Sequence, residues 1–364
     1  MRMRRIFRPD AATVLEDVAA KRSLSRYFSI LQKGKTAKFM VAKKVPAKWG
    51  AKSSLAALWT EHARCTGEFQ SLEIEADEGR VINKIPLPKQ SYLDLKIAIG
   101  KRILRNCHFC SRKCGKDRTK KELGYCGCSN EMAVSSIFAH MGEEPELVPS
   151  GTIFTMGCTI CCCHCQNWEI SQWKAESAHY RPEEIAEEID SLSLGGCRNA
   201  NLVGGEPTPW LWHWLKAFNH VKVNMPIVWN SNSYYSEETA KLLAGFADIY
   251  LLDFKYGPGD CAVRISDAPA YWEMCTRNHL EAKKHGELIV RVLVLPSHLD
   301  CCTTPILNWI GENLGPETRL NLMFQYRPEW KANEIPELRR RLTKEEIAKA
   351  ACLARKAGLT NIAS

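Results

Sequence analysis

The 364-residue chain reads as an α/β protein: a partial (β/α)6 TIM-like barrel with an N-terminal extension and a small cysteine-rich metal-binding segment. Three observations predict this. Six short apolar runs after residue 150 are rich in β-branched or aromatic residues and bounded by turn residues. Helical stretches separate them, and strands alternating with helices pair in parallel through βα crossovers. The chain also holds 17 cysteines, more than packing requires, and most fall in two tight clusters. Six units fit an open barrel better than a closed one of eight.

Residues 1–100 form a basic N-terminal region in which no motif carries chemistry. KTAKFMVAKKVPAKW reads as a basic strand or loop, and SSLAALWTEHAR as a helix with Leu55, Leu58 and Trp59 on one side. Residues 101–135 are the cysteine-rich segment. It has too little apolar content to fold without a metal or a host domain. Residues 150–360 hold the barrel. Its strands are SGTIFTMG, NANLVGG, PIVWNSN, DIYLLDF, LIVRVLVLP and RLNLMFQYRP. Its clearest helix is RPEEIAEEIDSL. Pro182 suits the first helical position, Glu183 and Glu184 the positive end, and Ile185, Ile189 and Leu192 one face. SEETAKLLAGF, the stretch from Tyr271 to His285, and TKEEIAKAACLARKAGL are the other helices.

Charge and composition narrow the class. The net charge is +9, but residues 1–130 carry 28 Lys/Arg against 12 Asp/Glu and the remainder is acidic. A basic third implies an acidic partner: nucleic acid, an acidic protein or an electron donor. No apolar run is long enough to span a bilayer. The start, MRMRRIFRPDAATVLEDVAAKRS, lacks the apolar stretch of a secretory signal, so a cytoplasmic protein with no membrane partner is expected. The scattered Cys65, Cys197, Cys275 and Cys352 read as small buried apolar side chains.

In such barrels ligands bind at the carboxyl ends of the strands. The cysteine cluster follows the first strand, GGEP the second, NSN the third and DFK the fourth, so the polar motifs share one rim. Within GCTICCCHCQN, Cys158, Cys162 and Cys165 have C-x3-C-x2-C spacing. One short loop can thus hold three corners of an iron–sulfur cubane and leave the fourth iron open. Cys161 and Cys163 sit beside them on a tight loop and point other ways. A zinc knuckle here would need a fourth ligand and would leave GGEP unexplained.

GCTICCCHCQN resembles the signature of radical S-adenosylmethionine (SAM) enzymes, in particular a branch near the pyruvate formate-lyase activating enzyme. CHFCSRKC, HMGEEP, NSNSYYS, LLDFKYG and QYRP resemble the same branch. The resemblance implies an oxidoreductase-type enzyme that binds a [4Fe–4S] cluster and S-adenosyl-L-methionine. It would cleave SAM reductively to a 5′-deoxyadenosyl radical that takes hydrogen from a substrate. Glycyl-radical activation is one outcome, and modification of a small molecule, peptide or RNA another. Two departures stand out. Gly157 precedes the first cysteine where activating enzymes have Phe or Tyr, and His164 replaces an aromatic residue that packs on adenine.

The resemblance also implies roles at the rim. Gly204, Gly205 and Glu206 would bind the methionine amino group, since glycines allow close backbone approach and a carboxylate accepts from an ammonium. Asn230 and Asn232 would contact the ribose, against the alternative of an Asx turn. Lys255 would lie near the methionine carboxylate and Asp253 near a monovalent cation, against a plain surface ion pair. Arg291, inside an apolar strand, needs an anionic partner.

Upstream, Cys107, Cys110, Cys114 and Cys126, with Cys128 as an alternative, make a second metal site for zinc or an iron–sulfur cluster. His140, Glu143 and Glu144 would line a substrate mouth or simply cap a loop. The expected partner is a low-potential electron donor of ferredoxin or flavodoxin type. The substrate could be a protein or RNA. The alternative class is a zinc-dependent nucleic-acid-binding module without redox catalysis, which would need neither Glu206 nor Lys255.

Overall fold

Six parallel strands organise the chain. In the computed structural model, which describes residues 8–363, they are β2 (Ser150–Thr155), β4 (Ala200–Gly204), β5 (Ile227–Ser231), β6 (Ile249–Asp253), β7 (Glu287–Leu293) and β8 (Arg319–Met323). Each pairs in parallel with the next. Two strands that the sequence reading did not assign extend the sheet. β1 (Met132–His140) lies antiparallel to β2, and β3 (Ala178–Tyr180) antiparallel to β1. The order β3-β1-β2-β4-β5-β6-β7-β8 leaves the barrel open. β1 escaped notice because its burial fades toward His140 without a clean two-residue alternation. The first seven residues of the basic start lie outside the described residues. No helix among the described residues is long and apolar enough to cross a membrane.

The expected helices form at Pro182–Leu194, Glu237–Leu243, Tyr271–His285 and Lys344–Lys356. SSLAALWTEHAR opens a longer helix, Leu55–Asp77, capped by Ser54. KTAKFMVAKKVPAKW is a correction: Lys38–Ala42 is helical, not a strand or loop. Phe39, Val41 and Ala42 are fully buried there, in the core that also takes Leu58, Cys65 and Phe69, so tertiary packing overrides the weak local signal.

Strand residues alternate between two faces. Ile227, Trp229, Tyr250, Leu252, Val290 and Val292 join the main core, which includes the covering helices. Val228, Ile249, Leu251 and Ile289 form a second, inner cluster with Leu24, Tyr27 and Phe28. By the same period Asn230, Asp253 and Arg291 face inward, one layer nearer the carboxyl ends.

The N-terminal helices close the opposite end. Arg26 pairs with Asp248 at 2.9 Å and with Glu73 and Asp77 at 3.2 Å. Glu287 accepts from the backbone N–H groups of Arg26 and Tyr27 at 2.6 and 2.7 Å. Asp248 and Glu287 stand where β6 and β7 begin, so Ser25–Leu31 packs against the strand starts. Burial opposes the charge of Arg26, but Asp248 and Glu73 outweigh it and raise its pKa. Part of the basic excess is therefore used far from the rim. Arg26→Met should destabilise the fold by about 3–5 kcal/mol, because it strands a buried carboxylate. Urea unfolding checks this, and an unchanged midpoint would count against the clasp.

Candidate active site

The cluster loop follows β2 and is held by backbone bonds. Cys161 N and Cys163 N donate to Ser266 O and Ile265 O at 2.8 and 2.9 Å, and Lys331 N donates to Cys163 O at 2.9 Å. This anchoring turns the cysteines in two directions. Cys158, Cys162 and Cys165 line a cavity of about 260 Å³, and Cys161 and Cys163 do not. Cys161 Sγ instead lies 3.5 Å from Gln172 Oε1.

Cys162 is buried and Cys158 and Cys165 largely so. Burial pushes all three pKa values up, reinforced by Glu206 at Cys158 and opposed by Lys255 at Cys162 and by Ser171 at Cys165. A buried trio of thiols becomes a set of thiolates only with a cation to compensate it. Among the described residues, one Cys/His/Asp/Glu group holds three ligand atoms all within 4.8 Å of one another, and it is elsewhere. The trio is thus spread wider than a single ion needs, as in a cubane whose thiolates bind separate irons. The donor set fits an iron–sulfur cluster.

The remaining rim residues meet in the same cavity. Gly204, Gly205, Glu206, Asn230, Asn232, Asp253, Lys255 and Arg291 all line it. Gly205 lies so close to the cluster loop that a Cβ would overlap Gly157 O. Glu206 is 1% exposed, and burial raises its pKa. Its Oε1 accepts from Thr208 Oγ1 at 2.5 Å and Ser231 Oγ at 2.7 Å, and its Oε2 from Asn232 N at 2.8 Å. Most of its acceptor capacity therefore fixes the loop after β5.

Asn232 closes an Asx turn, with Oδ1 accepting from Tyr234 N at 2.9 Å. Its Nδ2 points to Thr159 Oγ1 at 3.0 Å and Cys158 Sγ at 3.5 Å. Asn230 behaves differently: Oδ1 accepts from Arg291 at 3.2 Å, and Nδ2 is buried without a partner. An orphaned amide donor on a cavity wall is available to a ligand acceptor.

Asp253 and Lys255 are paired at 2.7 Å and largely buried, not a surface pair. Burial disfavours the ammonium, but the pairing with Asp253 outweighs it and raises the Lys255 pKa. Arg291 finds its anionic partners within the chain. It donates to Glu144 Oε1 and Oε2 at 2.6 Å and also to Glu143. His140 Nδ1 lies 3.2 Å from Glu143. His164 bonds Tyr256 at 3.0 Å, and burial lowers its pKa to about 3, so it stays neutral.

The cysteine-rich segment walls the same rim. Ser111 N donates to Tyr234 O, and Ser236 N to Phe109 O at 2.9 Å. Arg112 Nε donates to Thr159 O at 3.0 Å. Cys114 Sγ and Cys126 Sγ flank Gly124, whose added Cβ would lie 2.8 and 4.0 Å from them. Cys128 Sγ lies beside Cys126, 3.5 Å from Cys126 O, and 3.7 Å from Met156 O. Gly157, at φ +83°, would place a Cβ 2.6 Å from both Cys126 O and Cys128 Sγ. The upstream segment thus occupies the space an aromatic residue would fill.

The family pattern described as Radical SAM superfamily matches residues 152–310. The chain is also similar to Uncharacterized protein MJ0674 of Methanocaldococcus jannaschii. The two are 42% identical over 92% of this chain and 98% of the relative.

The chain belongs to the radical SAM superfamily.

A second relative in the same organism, Uncharacterized protein MJ0808, is 26% identical over 63% of this chain and 73% of its own. Among solved structures the chain is similar to methylornithine synthase (PylB). The TM-score is 0.40 at 15% identity, over 56% of this chain and 67% of that one. It is also similar to Streptococcus suis SuiB bound to precursor peptide SuiA, with TM-score 0.38 at 12% identity over 57% and 46%. As a radical SAM enzyme it cleaves SAM at a [4Fe–4S] cluster and needs a reductant. A binding module without catalysis is excluded. The sequence reading missed Ser231 and Tyr256, whose roles arise only from packing, and overlooked Cys261, Cys301 and Cys302.

Gly157→Ala should destabilise the protein by about 2 kcal/mol, from the left-handed backbone and the collision with Cys126 and Cys128. Iron incorporation should fall with it. Wild-type stability and iron content in this variant would contradict the packing described.

Proposed function

We propose that Cys158, Cys162 and Cys165 bind the [4Fe–4S] cluster and that the adjoining cavity binds SAM for hydrogen abstraction from a substrate. The observation carrying this reading is the cavity itself. It is lined by three thiols of the five in the loop, by the GGE turn, by the orphaned Asn230 amide and by the Asp253–Lys255 pair. When bound, the cluster and SAM supply one-electron cleavage of the sulfonium and a 5′-deoxyadenosyl radical. Lys255 offers a cation to the methionine carboxylate, Asn230 Nδ2 donates to a ribose hydroxyl, and the GGE backbone accepts from the methionine ammonium. Asn232 and Glu206 act through others. Asn232 orients Cys158, and Glu206 holds the Asn232 loop. Asp253 would take a monovalent cation beside its pair with Lys255.

The substrate side lies beyond Arg291. A neighbouring cavity of about 650 Å³ shares Arg291, Met323 and Gln325 with the first and is walled by Glu143, Glu144 and Asn321. A polar small molecule or a peptide side group suits this space. Gly157 weighs against a glycyl-radical activating enzyme. Cys107, Cys110, Cys114 and Cys126 would hold a second metal. Among the described residues no three of these sulfurs lie within 4.8 Å of one another, a spacing that suits an iron–sulfur cluster better than one zinc. A ferredoxin- or flavodoxin-type donor would approach the wall around Arg112 and Lys113, in a reducing compartment such as the cytoplasm.

Combined replacement of Cys158, Cys162 and Cys165 by Ala should abolish 5′-deoxyadenosine formation from SAM under dithionite, measured chromatographically. Undiminished formation by this variant would overturn the assignment.

A further inference from the structure

Outside the cavity, two segments bring ligand atoms together on the far side of the cluster loop. Cys261 begins the helix Cys261–Ser266, and after β7 His298 caps the short helical turn Leu299–Thr303 that holds Cys301. Their Sγ and ring nitrogen atoms all lie within 4.8 Å of one another. We propose that Cys261, His298 and Cys301 form a mononuclear zinc site, distinct from the cluster and from the upstream cysteines.

The spacing is that of a tetrahedral ion. Cys261 Sγ and Cys301 Sγ are 3.8 Å apart. Two thiolates on one zinc, each about 2.3 Å from the metal, stand about 3.8 Å apart at a tetrahedral angle. Cys302 Sγ, though 3.8 Å from Cys301 Sγ, does not come within 4.8 Å of all three ligand atoms, so the fourth position is left to solvent. The imidazole is in the ligating tautomer. His298 Nδ1 is 2.7 Å from Pro296 O; a carbonyl only accepts, so the proton is on Nδ1 and Nε2 keeps its lone pair. That backbone bond is the usual outer-shell partner of a metal-bound histidine. Nε2 now faces Arg264 at 3.2 Å. Arg264 is also paired with Glu337 at 2.6 Å, so its side chain can yield to a metal and keep its carboxylate partner.

The site has a structural consequence. The helix that starts at Cys261 ends in the Ile265 and Ser266 carbonyls that hold Cys163 N and Cys161 N. Zinc here would fasten the outer support of the cluster loop to the segment after β7. At Gly257 a Cβ would overlap Cys301 O, so the loop after β6 is clamped in the same place.

The test uses the full chain under anaerobic conditions, with iodoacetamide as the probe and peptide mapping as the readout. Cys301 is exposed, so without metal it should alkylate readily. One equivalent of zinc added to chelator-treated protein should slow alkylation of Cys301 and Cys261 by about tenfold or more, since a metal-bound thiolate is withheld from the reagent. Cys301→Ser should lower the zinc content of the isolated protein by about one per chain. Equal alkylation of Cys301 with and without zinc, or recovery of a Cys261–Cys301 disulfide from anaerobic protein, would overturn the proposal. The alkylation arm needs no variant to fold.

Discussion

The parallel direction of six strands is the constraint on which the site depends. Strands that run the same way end on the same side, and the two-residue alternation then decides which side chains face inward. Asn230, Asp253 and Arg291 share the inward face with Val228, Leu251 and Ile289, which pack in the inner cluster. The apolar layer fills the interior below, and the polar layer is left at the mouth. The cluster loop, the GGE turn and the Asn232 loop follow those same strand ends. Had any one strand run antiparallel, its motif would lie at the other end of the barrel.

Buried charge is balanced at both ends. At the strand starts Arg26 meets Asp248, and Arg319 meets Glu146 at 2.6 Å. At the mouth Arg291 meets Glu143 and Glu144. A buried ion pair adds little net stability, but removing one partner is costly. These pairs therefore enforce one arrangement more than they strengthen it. The pair at the mouth also leaves Asn230 with an unpartnered amide. The cavity is apolar below, acidic beyond Arg291, and cationic at Lys255.

Much of this was legible in the sequence. The six apolar runs gave strands within a few residues, because buried parallel strands carry dense β-branched and aromatic signals. C-x3-C-x2-C was readable because thiolate spacing within one loop is a local property. Other features were not local. β1 alternates poorly, and Lys38–Ala42 is helical only through packing with the helix Leu55–Asp77. Arg291 was recognisable as a buried charge needing an anion, but its partners lie some 150 residues away in sequence at Glu143 and Glu144. Gly157 looked like a departure, and the reason is the upstream segment folded against it. Cys261 and Cys301 are separated by a helix and a strand, and no spacing rule connects them.

The central claim is that the rim holds SAM against an open iron of the cluster bound by Cys158, Cys162 and Cys165. Electron paramagnetic resonance of the reconstituted, reduced protein tests this most directly. The account predicts a reduced-cluster signal that changes shape when SAM is added and that keeps its SAM-free shape in Asn230→Leu at the same SAM concentration. A wild-type spectrum indifferent to saturating SAM would contradict it.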